Sequence, residues 1–173
     1  MNIIQVVQPE EIRKTLWPAF KIDNGTKHGL NGINGGLGEQ AAIAMIEKKY
    51  PNLYNTVLDH SNDCIGQWQG IDLTFIGSGK FHTVDVKTGK TGLYWNKERK
   101  YWYITIREDF FNHPRKTNSH FMHVGPKKDI FAWYAKRDME AYMLDYPNYF
   151  HKTAFGTILK KENWPDFVGH NLG

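Results

Sequence analysis

Residues 71–87 constrain this chain more than any other stretch. Two β-rich runs, residues 71–76 and 81–87, flank Gly77-Ser78-Gly79. Glycines on both sides of a serine favour a tight reversal, so the segment reads as an antiparallel hairpin. Period-two alternation then sets Phe81, Thr83, Asp85 and Lys87 on one face and His82, Val84 and Val86 on the other. With the turn centred near Ser78, Asp72 falls across from the Asp85 region, within cross-strand reach. Two carboxylates and a lysine are thereby brought close by local geometry alone.

A third carboxylate comes from upstream. Residues 37–50 repeat apolar side chains at helical spacing through Ile43, Ile46 and Tyr50, and Pro51 ends the run. Glu39 opens this helix four residues before Ile43, so it points to the side of the apolar stripe. If that helix packs over the Asp85 and Lys87 face, three carboxylates meet. Left alone they would repel and take up protons, and a divalent cation resolves the conflict. Oxygen ligands favour Mg²⁺ or Mn²⁺. Such a site suits phosphodiester hydrolysis, in which a metal polarises the phosphate and activates water. Lys87 beside the ion can orient the nucleophile or stabilise developing charge. Singly, each residue has a simpler role: Glu39 as a first-turn acid favoured by the helix dipole, Asp72 at a turn, Asp85 and Lys87 as an exposed pair.

The charge distribution points to a polyanionic partner. Residues 80–137 hold 13 Lys and Arg against 5 Asp and Glu, a local +8 in a chain of net +4, so the remainder carries −4. The same stretch contains Tyr94, Trp95, Tyr101, Trp102 and Tyr103, side chains on which bases can stack. Lys90, Lys97, Arg99 and Lys100 are its candidate nucleic-acid contacts. Lys27 and His28 join them from residues 24–38, where six glycines suggest a flexible surface loop able to approach a backbone closely. No Gly-Lys-Ser/Thr ending is present, so this is not a phosphate-cradling loop.

At 173 residues the chain reads as a single domain, residues 1–173, with a core over about 36–135 and decorations at both ends. Further strands are expected at residues 3–7, 56–59, 101–106, 120–124 and 130–134, with a helical turn from Pro9 and a helix over 137–146. No stretch is apolar for ~18 residues, and residues 1–11 lack a signal-peptide pattern. Cys64 stands alone, so no internal disulfide forms, and these features together suit the cytoplasm. His120 and His123 fall on opposite faces of a strand, which argues against chelation by these two and His113. His82 faces away from Asp85. Trp17, Trp133 and Trp164 read as core residues.

Gly38-Glu39 on a helix, Gly70-Ile71-Asp72 on a strand and Val84-Asp85-Val86-Lys87 on the next occur in a meaningful order. This pattern resembles the PD-(D/E)XK, or restriction-endonuclease-like, nuclease superfamily. The spacing between Asp72 and Asp85 is similar to that of small Holliday-junction resolvases. The resemblance implies an α/β (α+β) fold with a mixed central sheet, flanking helices and αβββαβ topology. It implies metal binding by Glu39, Asp72, Asp85 and the Val86 carbonyl, with Lys87 as catalytic lysine. It further implies a Mg²⁺-dependent DNA endonuclease, with a homodimer among the arrangements the family allows. The third-strand acid is Asp where Glu is commoner, and residues 88–100 are not obviously helical. The next core helix is therefore either short, at 107–112, or displaced to 136–146. Other readings are a structure-specific resolvase or exonuclease, a non-cleaving nucleic-acid-binding protein on the same scaffold, or a protein-docking surface over residues 80–137.

Overall fold

The computed structural model describes residues 27–60, 71–114 and 117–169, with residues 27–35 and 54 described by their backbone. The expected strand at 3–7, the turn at Pro9, Trp17 and Cys64 lie outside the described residues. The fold is mixed α+β. A long helix α1 (Lys27–Lys49) is followed by a one-turn α2 (Pro51–Tyr54). The strands β1 (Leu58–Asp59), β2 (Leu73–Gly77) and β3 (Lys80–Lys87) come next. A hairpin of β4 (Leu93–Asn96) and β5 (Tyr101–Ile106) leads into the short helix α3 (Asp109–Asn112). Then follow β6 (His120–Val124), β7 (Phe131–Ala135) and helix α4 (Lys136–Asp145). The chain closes with β8 (Phe150–Thr153) and β9 (Gly156–Lys160).

These strands form two sheets. The first is five-stranded in the order β1-β2-β3-β6-β7, antiparallel throughout except for the parallel β3–β6 pair. The second is antiparallel in the order β4-β5-β9-β8. The expected 71–87 hairpin forms, with Gly77 paired to Lys80 around Ser78 and Gly79. Both turn residues have positive φ, 51° and 70°, the backbone twist that matches a two-residue strand reversal. Parallel β3 and β6 require a crossover, and the chain makes it through the β4–β5 hairpin and α3. The short alternative for the crossover helix, near residues 107–112, is therefore the one adopted, and α4 follows the sheet instead of crossing it.

Three layers result. Helix α1 packs Leu37, Ala41, Ala42, Met45 and Ile46 onto Leu73, Phe75, Val84, Met122 and Trp133. The opposite face of the five-stranded sheet carries Phe121, Ala132 and Tyr134, buried against Leu93, Ile104, Ile106 and Leu159 of the second sheet. Strand β6 is consequently buried on both faces along all five residues. Each large side chain so enclosed contributes roughly 1.5–3 kcal/mol. Trp133 and Trp164 belong to these cores, as their apolar surroundings in the sequence suggested. The chain's tail after Pro147, unreadable from periodicity, supplies β9, which is interior to the second sheet, and the edge strand β8.

The glycine-rich segment departs from expectation. Residues 27–38 are helical instead of a loop, and α1 begins twelve residues before Glu39. The cost of glycine in a helix, about 1 kcal/mol each, is offset where close packing needs a missing side chain. A Cβ on Gly38 would collide with the Thr88 side chain just beyond β3. Gly92 plays the same part at the start of β4, where a Cβ would run into the Val124 carbonyl and stand 3.2 Å from both Gly89 O and Thr88 Cα. Backbone neighbours cannot swing aside. Gly92→Ala is therefore expected to destabilise the fold by about 1–3 kcal/mol in urea denaturation, and an unchanged midpoint would contradict this packing.

Candidate functional site

Asp72 immediately precedes β2, and extending the β2–β3 register from Leu73 opposite Val84 sets it across from Asp85. The ladder does not continue regularly there. Asp72 N–H donates to Val84 O at 2.9 Å, and Asp72 Oδ2 accepts the Val86 N–H at 2.6 Å. A carboxylate thus takes the place of a strand carbonyl and is pinned at the edge of β3. The Asp72 carbonyl in turn accepts His60 N–H at 2.8 Å, tying in the end of β1. On β3, Lys87 Nζ lies 2.7 Å from Asp85 Oδ1, as their shared face requires. The lysine also rests 4.8 Å from the centre of the Phe110 ring of α3, which walls this end of the site.

Glu39 reaches the cluster by a different route from the one expected. Helix α1 covers the Val84 and Val86 face of β3, not the Asp85 and Lys87 face. The valines are the apolar side, so the helix buries them, and the second sheet covers the other side. Glu39 instead meets Asp72 at the end of the sheet, where Gly38 lets the helix close on Thr88. The two carboxyl groups stand within hydrogen-bonding reach of each other, so a proton on one can be shared with the other. Glu39 Oε2 is enclosed without a hydrogen-bond partner among the described residues. Because Glu39 lies in the middle of α1, the helix dipole does not account for an acid at this position.

Burial lifts the Glu39 carboxyl to about 9, helped by the charges of Asp72, Asp59 and Asp85. Burial likewise raises Asp72 to about 7, with Asp85 adding to it, while the Val86 N–H and Lys87 pull the other way. Asp59 is a fourth carboxylate at this site that the sequence reading placed on a strand but gave no role. Gln40 Nε2 donates to its Oδ2 at 2.8 Å, one residue along the helix from Glu39.

A second polar group borders Asp85 on the inter-sheet side. His123 Nδ1–H donates to Thr91 O at 2.6 Å, which leaves Nε2 to accept the Tyr134 hydroxyl at 2.8 Å. Burial lowers His123 to about 4, so it is neutral, and burial and Asp85 keep Tyr134 protonated. His120, by contrast, lies on the other face beside His82 and Phe75, as the alternation requires. His82 likewise faces away from Asp85, stacked on Phe75. His120 and His123 are therefore held on opposite faces of β6. Among the described residues, no three His, Cys, Asp or Glu side chains already stand in metal-binding positions.

Of the sequence-predicted residues, Glu39, Asp72, Asp85 and Lys87 converge at one end of the first sheet, and the Val86 peptide is held there through its N–H. Lys90, Lys97, Arg99 and Lys100 are exposed, Lys90 just past β3 and the others at the β4–β5 turn. Lys27 and His28 occupy the first turn of α1. Three carboxylates gathered beside a lysine that pairs with Asp85 can hold protons or a cation, and their donor atoms are all oxygen.

Both raised carboxyls hold protons more tightly in the folded chain than at their ordinary values of 4.5 for Glu39 and 3.8 for Asp72. Their contribution is complete below those values and is lost as pH rises through about 7 and then about 9. In buffer with EDTA, the melting temperature should therefore fall as pH rises from 5 to about 9. Glu39→Gln, which cannot ionise, should show a shallower fall and gain stability over the parent at the alkaline end. Identical pH slopes for the two proteins would contradict a shared proton at Glu39.

No protein-family model matches the chain, and no curated protein matches it. Among solved structures, the chain is similar to a bacterial homing endonuclease, I-Ssp6803I. The two share 15% identity, with 78% of this chain and 83% of that one covered and a TM-score of 0.47.

Proposed function

We propose that this protein is a metal-dependent nuclease that hydrolyses phosphodiester bonds, acting as a DNA endonuclease. Glu39, Asp72 and Asp85 are its metal ligands, the Val86 carbonyl is a further one, and Lys87 is the catalytic lysine. One observation carries this reading: three carboxylates gather at one end of the sheet, where Asp85 is ion-paired to Lys87 and Glu39 and Asp72 lie close enough to share a proton. A fold that needed only stability would gain from apolar residues there, because uncompensated buried charge is costly.

The residues fit Mg²⁺ or Mn²⁺ on the chemistry of the donors, which are hard oxygens, and on the enclosed Glu39 Oε2 with no hydrogen-bond partner among the described residues. A divalent ion bound there supplies Lewis-acid polarisation of the phosphodiester and lowers the pKa of a coordinated water. The chain does the rest. Asp72, anchored by the Val86 N–H, fixes the position of one carboxylate to the backbone of β3. Glu39 gives up the proton shared with Asp72 when it takes on a ligand role. Lys87, oriented by Asp85 and the Phe110 ring, presents its ammonium to the phosphate oxygens or the attacking water. Lys27, His28, Lys90, Lys97, Arg99 and Lys100 contact the nucleic-acid backbone. A homodimer would provide two such centres for two strands.

Incubation with plasmid, branched and single-stranded DNA in Mg²⁺, Mn²⁺ or EDTA tests the proposal. Cleavage is expected with either metal and none with EDTA. Asp85→Ala and Lys87→Ala should each lower it by at least ~100-fold, with circular dichroism and melting behaviour still those of a folded protein. Full activity in either variant contradicts the assignment. Salt-sensitive binding without cleavage under every metal would instead favour a non-cleaving nucleic-acid-binding protein.

A further inference from the structure

A cavity of about 720 Å³ lies between the β4–β5 hairpin and the turn that joins β6 to β7. Tyr94, Trp95, Trp102 and Ile130 form its walls, and Lys97 and Lys127 line it as well. The two indoles sit opposite each other across the β4–β5 pair, with ring centres 5.5 Å apart and planes at 53°. Trp95 is 40% exposed, an unusual state for the largest apolar side chain. None of these residues belongs to the carboxylate site.

Both walls are held rigidly. Asn96 Oδ1 accepts the N–H groups of Glu98 and Arg99 at 3.1 and 3.0 Å, which fixes the hairpin turn. Across the cavity, Gly125 N–H donates to Ile130 O at 2.9 Å and Lys128 N–H to Gly125 O at 3.0 Å. Lys128 itself is buried, donating to the Pro126 carbonyl at 3.2 Å, so the turn packs its own side chain inward. A pre-formed aromatic concavity needs little ordering when a flat ligand enters.

The charge around it selects the ligand. Lys97 and Lys127 are exposed on its two sides with the acid Asp129 also in the lining, and Glu98, Arg99 and Lys100 are exposed on the adjoining hairpin turn. Aromatic walls inside a cationic rim match a base still attached to its phosphates. The cavity's volume is in the range that takes one small, flat ligand. The location is also apt. Strand β3 runs parallel to β6 with Lys87 beside His123, so the turn after β6 leaves from the end of the sheet that carries Lys87.

We infer that this cavity receives a single unpaired nucleotide, its base against Trp95 and Trp102 and its phosphates on Lys97 and Lys127. The inference rests on the nucleic-acid substrate of the preceding section and narrows it to strands bearing an unstacked base. Stacking on an aromatic platform accounts for base-tolerant affinity, and the lysines account for dependence on salt.

Binding to the intact protein in EDTA reads this site without cleavage. The probes are a paired duplex and the same duplex carrying one bulged 2-aminopurine, followed by base and tryptophan fluorescence. The bulged probe should bind at least ~10-fold more tightly and quench tryptophan emission. Trp95→Ala should remove that preference and leave paired-duplex affinity within about twofold, while Trp95→Tyr retains most of it. Equal binding of the two probes by the parent protein, or an equal loss for both in Trp95→Ala, overturns the inference. Cleavage without bulge preference would refute this pocket and spare the nuclease assignment. Bulge preference without cleavage would do the reverse.

Discussion

Charge crowding at the end of one sheet governs how this molecule is built. Glu39, Asp72 and Asp85 are set together by three different elements, and Lys87 is the cation placed against them. Two unit charges ~4 Å apart near a protein surface repel by about 4 kcal/mol, so three carboxylates with one ammonium cannot all ionise cheaply. The chain relieves this with an ion pair between Asp85 and Lys87 and, because burial raises both carboxyls, with a proton that Glu39 and Asp72 can share. Those two pairings hold the side chains in place and also mark what a divalent cation would have to displace.

The layers explain why the cluster sits at an edge. Both faces of the central sheet are covered, one by α1 and the other by the second sheet. A polar site can then open only where strands end. Asp72 stands at the start of β2, Lys87 at the end of β3, and Glu39 enters along the helix where Gly38 permits close approach. The same end of the sheet sends out the turn that forms one wall of the tryptophan-lined cavity. The carboxylate cluster and that cavity thus both follow from one crossover, in which a β-hairpin stands where a longer helix could have stood.

Much of this was legible because strands have a strict period of two. The common face of Asp85 and Lys87 and the opposed faces of His120 and His123 follow from alternation, while the hairpin turn follows from Gly77-Ser78-Gly79 and β5 from its aromatic and β-branched residues. The start of α1 did not, because glycines at 29, 32, 35, 36 and 38 carry a local preference that tertiary packing overrides. The face covered by α1 was equally hidden: when both sides of a sheet are buried, hydrophobicity does not say which layer lies on which. Strand β9 pairs with β5 from some fifty residues away in sequence and carries β8 with it, and their mixed polar pattern gives no signal of that partner. Asp59 carried no signal of a role in the sequence, because only the fold brings it near Glu39.

The central claim is that a divalent cation takes the place of a proton held by Glu39 and Asp72. Isothermal titration of the protein with Mn²⁺ near neutral pH, in two buffers of different ionisation enthalpy, measures the protons released on binding. The account predicts saturable binding with release of about one proton per ion, and loss of that release in Glu39→Gln. Absence of binding, or binding with no proton released, would contradict it.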